Sequence, residues 1–155
     1  MKAIVIFLLL GISLSFSPGK SFDYAERYCK NYNPSYNDYS SKGGDGANFV
    51  SQCLAAGGLN LDGCAGRDDK GMIPNISDLK NCLKLKGWKS KAPTKSEKYV
   101  LGYPMFFTDS GKEYAAIIDI YRSKEKIVYY HSHSPENCQD FIGTIRNSFV
   151  SIYYP

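Results

Sequence analysis

The chain changes character once, between residues 88 and 103, and that change bounds its fold. Before it, the periodic segments have helical spacing. "FDYAERYCKNY" (22–32) places Phe22, Ala25, Cys29 and Tyr32 on one face. "GGDGANFVSQC" (43–53) begins a second helix at Asp45 or Gly46. Asp45 is placed to cap it, and Phe49, Val50, Cys53 and Leu54 form its apolar stripe. Two glycines at 57–58 stop it. "NISDLKNCLKLKGW" (75–88) predicts a third helix, capped by Asn75, with Ile76, Leu79 and Leu83 inward and Gly87 at its end. After the change come β-rich runs: "YPMFF" (103–107), "EYAAIIDIY" (113–121), "KIVYYHSH" (126–133) and "SFVSIYY" (148–154). "DSGK" and "RSKEK" supply turns between them. Helices first and strands after predict an α+β domain, with N-terminal helices packed on an antiparallel sheet.

Length fits one domain, residues 18–155, and no repeat divides it. Residues 1–17, "MKAIVIFLLLGISLSFS", carry a single charge, Lys2, and an apolar run from Ala3 to Ile12 followed by small residues. This is the pattern of a secretory signal peptide cleaved near Ser15 or Ser17. The run falls short of the ~20 apolar residues of a transmembrane helix. A secreted protein with no membrane segment after signal removal is expected. Loss of Lys2 lowers the net charge from +4 to +3. That charge, with no basic stripe interleaved with aromatics, argues against nucleic acid as a partner.

Five cysteines in an exported chain predict disulfides and one thiol left over. Cys53 lies on the apolar side of its helix and is the expected free, buried residue. Cys29, Cys64, Cys82 and Cys138 then allow three pairings. Cys64 with Cys82 is preferred, because a loop and the helix after it can be stapled that way, leaving Cys29 with Cys138. No spacing matches a metal motif, and no cofactor is expected. His131 and His133 lie two apart, which a strand turns to one face. "NIS" at 75–77 is an N-glycosylation sequon as well as a helix start.

Residues 22–58 resemble the opening of the putative amidase domain family, of the papain-like clan that also holds cell-wall peptidases and CHAP amidohydrolases. That family opens with an aromatic helix, an Asn-Pro-x-Tyr turn, and Gly-Gly-Asp-Cys-x-Asn-Phe-Val-Ser-Gln. Here the turn is "NPSY" and the second block "GGDGANFVSQ". "PNISDLKNCL" resembles the following helix, "EYAAIID" the strand that starts with the catalytic His, and "IVYYHSHS" the later strand. The resemblance implies a papain-like, cysteine-peptidase-like fold. It also implies a thiol at a helix N-terminus, where unpaired N–H groups favour the thiolate, a His base, and a polar residue orienting that base.

Carried over residue by residue, the nucleophile position holds Gly46 and the base position Tyr114. The orienting position holds His133, or His131 if the register slips by two. Cys53 lies seven residues beyond Gly46, ~10 Å along the helix axis, and cannot replace the nucleophile. No His is suggested beside Ser40, Ser41 or Ser51. The resemblance therefore implies a catalytically inactive member. It would bind a peptide, a peptidoglycan-like ligand or an extracellular partner protein through Asp45, Gly46, Asn48, Tyr114, His131 and His133. The alternatives are a structural or extracellular matrix protein that uses the fold as scaffold, and an active cell-wall amidase or peptidase.

Overall fold

A computed structural model describes residues 15–93, 101–122, 127–134, 136–138 and 150–155. Three helices come first: α1 (Pro18–Tyr28), α2 (Gly46–Ala56) and α3 (Ile76–Leu85), with a 3₁₀ turn at Ser40–Lys42. Six strands follow: β1 (Lys89–Lys91), β2 (Pro104–Asp109), β3 (Lys112–Arg122), β4 (Ile127–His133), β5 (Glu136–Cys138) and β6 (Val150–Tyr154). They form one antiparallel sheet in the order β1-β6-β2-β3-β4-β5. The α+β architecture and its four longer strands match expectation. β1 and β5 are additions of three residues each, too short to carry a periodic signal.

Local chemistry sets the ends of the elements. Ser17 caps α1 through Lys20 N, and Asn75 caps α3 through Ser77 N and Asp78 N. Gly58 takes the left-handed conformation (φ 94°) just beyond α2, and Leu59 N reaches back to Leu54 O. The β2–β3 hairpin turns at Ser110 and Gly111, both at positive φ (49° and 78°), between the paired Asp109 and Lys112. The expected "RSKEK" turn lies largely outside the described residues; on either side of it Arg122 pairs with Ile127.

The sheet has an apolar residue set on each face. Phe106, Ala115, Ile117 and Tyr153 face the helices, while Met105, Phe107, Ala116, Ile118 and Ile152 form a second cluster. α2 is the centre of the first: from Gly46 to Leu54 every residue is buried. A helix buried on all sides must bond its polar side chains internally. Ser51 Oγ donates to Asn48 O and accepts from Ile73 N. Gln52 Oε1 accepts from Tyr24 Oη of α1, which in turn accepts from Asn33 Nδ2. Burial raises the Tyr24 phenol pKa, although the Asn33 bond opposes it.

Cys29 is bonded to Cys138, joining the end of α1 to β5, and Cys64 to Cys82, joining the 59–73 loop to α3. Cys53 is free and buried. All three assignments agree with the sequence reading. Residues 1–14, most of the expected leader, lie outside the described residues. Phe16, near its end, packs on Trp88 (ring centroids 4.9 Å apart), and Ser17 N donates to Gly57 O. The Phe16 ring comes so close to Gly57 that a Cβ there would lie 2.4 Å from it.

Candidate functional site

The amino end of α2 opens into a groove of about 440 Å³. Gly46 and Ala47 lie at its base. Gly44 and Lys42 come from the preceding turn, Asn75 and Ser77 from the start of α3, Lys112 and Tyr114 from β3, and Ser134 from the end of β4. The helix start is uncapped: Asp45 holds the N-cap position, but its side chain accepts no backbone N–H of its own helix. The expectation that Asp45 caps α2 is corrected on this point. Its carboxylate is drawn into the interior by stronger partners.

Those partners form a closed polar cluster. Asp45 Oδ1 accepts from Tyr39 N (2.9 Å) and Asn48 Nδ2 (2.8 Å), and Oδ2 lies 2.7 Å from His133 Nδ1. His133 Nε2 lies 2.9 Å from the carbonyl oxygen of Tyr28. A carbonyl only accepts, so Nε2 carries a hydrogen. A further proton lies between Nδ1 and Oδ2. The ring is sandwiched between Tyr32 (4.0 Å) and Phe49 (3.9 Å). Asp45 and His133 are 0 % and 4 % exposed.

His133 therefore has no ring nitrogen left to orient a base. His131 is buried too, edge-on to Phe22 at 5.6 Å, and neither of its nitrogens has a hydrogen-bond partner among the described residues. Burial lowers its pKa, while the charges of Asp119 and Glu26 act the other way. These are the only two histidines in the chain, and neither lines the groove.

Of the six expected binding positions, Gly46 and Tyr114 line the groove; Asp45, Asn48, His131 and His133 do not. The pleat explains why Tyr114 is a poor substitute for a base. Its ring stacks on Phe107 (5.4 Å) and packs with the second cluster, on the face away from the helices. Its neighbour Ala115 is the residue that meets the helix start. A Cβ built on Gly46 would lie 3.2 Å from Ala115 O and 3.5 Å from Ser134 O. A side chain at position 46 is thus crowded, though not barred.

Sequence reasoning missed the polar side chains around the groove. Lys42 and Lys112 have no carboxylate partner among the described residues, and each lies over a tyrosine ring, Tyr39 and Tyr114 respectively. Glu113, on the same wall, is paired with Lys80 of α3. Ser134 Oγ accepts from Asp45 N at 2.8 Å. These residues come from turns and strand ends, where no periodicity marks them. The cysteines that could stand in for a nucleophile are unavailable: Cys53 is fully buried, which holds its thiol well above its ordinary pKa, and the others are in disulfides. Among the described residues no cluster of His, Cys, Asp or Glu could hold a metal ion.

Searches among curated proteins and solved structures return no match. Residues 16–133, well over half of the chain, match the family model described as "putative amidase domain". The chain belongs to the putative amidase domain family.

Proposed function

We propose that this is a secreted, catalytically inactive member of the family, with a papain-like fold, that holds an anionic group of a peptide or peptidoglycan-like ligand in the groove at the start of α2. One observation carries the reading. The helix start that would activate a thiol is kept, but position 46 is Gly and both histidines are committed elsewhere. What remains at the groove is an uncapped helix end, with its partial positive charge, and Lys42 from the preceding turn. A carboxylate suits that environment, and the chemistry to cleave an amide does not accompany it.

Two disulfides suit an oxidising compartment. Leader cleavage on the N-terminal side of Phe16 would keep its contact with Trp88. The test is sedimentation of the protein, produced without N-linked glycan, with purified peptidoglycan, alongside an assay for newly released amino groups. Binding that weakens in Lys42→Ala, with no amino-group release, is expected. Failure to bind favours a scaffold role. Release of amino groups would establish an active amidase.

A further inference from the structure

We infer that Asn75 carries an N-linked glycan and that this glycan closes the groove at the start of α2. The inference rests on the exported, groove-binding reading above and adds a means of controlling it. "NIS" at 75–77 is the chain's one usable sequon; Asn33-Pro34-Ser35 is barred by its proline. The structure puts that triplet at a particular place. Asn75 is exposed, and both Asn75 and Ser77 line the groove, across from Lys112 and Tyr114.

The two ends of the Asn75 amide have separate uses. Oδ1 accepts from Ser77 N at 2.8 Å and Asp78 N at 3.3 Å, capping α3. Nδ2, the atom that a glycan modifies, has no hydrogen-bond partner among the described residues. A sugar on Nδ2 therefore leaves the cap intact. The bond forms between Nδ2 and the anomeric carbon of an oligosaccharide carried on a lipid pyrophosphate. The carbon–oxygen bond to the pyrophosphate breaks, the amide gives up one proton, and the lipid pyrophosphate leaves. Transfer takes place on the entering chain, and folding then carries the sugar to the groove rim. The groove, about 440 Å³, is within the range of small-ligand clefts, about 300–1,000 Å³, so the first sugars can occupy it.

The experiment uses the full chain secreted from a glycosylating eukaryotic cell. Ser77→Ala removes the sequon and keeps the Asn75 cap; Asn75→Asp removes the acceptor nitrogen and keeps a capping oxygen. Groove access is read as the rate at which a bulky maleimide labels Glu113→Cys, an exposed groove position on the helix side of β3. The native chain should carry extra mass that a glycosidase removes and that both sequon variants lack. Labelling of Glu113→Cys should be about tenfold slower with the glycan than in the Ser77→Ala background, an added barrier of about 1.4 kcal/mol. A native mass equal to that of the bare polypeptide would overturn the modification. Equal labelling rates with the glycan present would overturn the closure. Peptidoglycan binding is measured separately on the Ser77→Ala protein, so its failure counts against the binding reading and leaves the gate standing.

Discussion

Asp45 and His133 stand 88 residues apart in the chain and 2.7 Å apart in the structure. The contact links the turn before α2 to the end of β4, and through Tyr28 O to the end of α1. His133 thus ties three segments together from the buried interior.

Removing either member of the pair should cost unequal amounts. His133→Leu leaves the fully buried Asp45 side chain without its ring partner, a loss of about 3–5 kcal/mol for a broken buried pair. Asp45→Asn keeps an acceptor for Tyr39 N and Asn48 and a hydrogen-bonding group beside His133, so about 1–3 kcal/mol is expected. Urea denaturation of both single variants and the double measures this. Additive losses would mean the pair is not coupled. In a ¹H–¹⁵N spectrum Nε2 of His133 should bear a hydrogen, and a bare Nε2 would contradict the bond to Tyr28 O.

His131 predicts a pH dependence of stability. Burial lowers its folded pKa from the reference 6.5, with Asp119 and Glu26 opposing. Below 6.5 the unfolded chain takes up a proton that the folded chain resists. Stability from this group is therefore full above pH 6.5 and falls as pH drops toward the folded pKa. Thermal unfolding between pH 7.5 and 5 should show this fall, and His131→Leu should flatten it. The same variant removes two unpartnered buried nitrogens, so it should gain about 1 kcal/mol at pH 7.5. A destabilised variant would point to a hydrogen-bond partner for the ring.

The two disulfides should differ in weight. Cys29–Cys138 spans 109 residues and Cys64–Cys82 spans 18, so on loop entropy alone their removal should cost about 4–5 and about 3 kcal/mol. Cys29 also neighbours Tyr28 and precedes Tyr32, which hold His133 on two sides. The Cys29→Ala/Cys138→Ala protein should accordingly exchange its His133 ring hydrogens faster, whereas Cys64→Ala/Cys82→Ala should not. In the native protein iodoacetamide should label nothing, because burial keeps the Cys53 thiol protonated and covered.

How much of this was legible in sequence depends on how locally each feature is encoded. The helices announce themselves through spacing, and Asn75 and the glycines at 57–58 mark ends that need no tertiary partner. The pleat of β4 fixes His131 and His133 on one face by period alone. β1 gives no such sign, since Lys89–Lys91 become a strand only by pairing with Ile152–Tyr154. The site divides in the same way. Gly46 is legible because the surrounding block is long, and the structure gives a reason for that length: Asn48, Ser51 and Gln52 fasten α2 to three other segments whether or not a nucleophile is present. The partner of Asp45 is not legible, because a carboxylate before a helix reads as its cap until an imidazole from a distant strand outbids the helix N–H groups.

Restoring the thiol tests the site most directly. Gly46→Cys should produce a cysteine alkylated much faster than Cys53, with a pKa below the reference ~8.5, because the uncapped start of α2 stabilises the thiolate. Its Cβ meets Ala115 O at 3.2 Å, so β3 must give by a few tenths of an ångström and some stability should be lost. Hydrolysis should not follow. Tyr114 has its ring against Phe107, and a phenol of reference pKa ~10 cannot hold a proton as an imidazolium does. Adding Tyr114→His should not bring cleavage of a peptidoglycan stem peptide, because position 114 projects to the face of β3 away from the helix start. His133, bound to Asp45 and Tyr28, cannot serve as the base either. Alkylation rates against pH and amino-group release separate the steps. A thiol that titrates near ~8.5 in the single variant would show that the helix end does not act on position 46. Rapid hydrolysis by the single variant would mean that another group at the groove already serves as base.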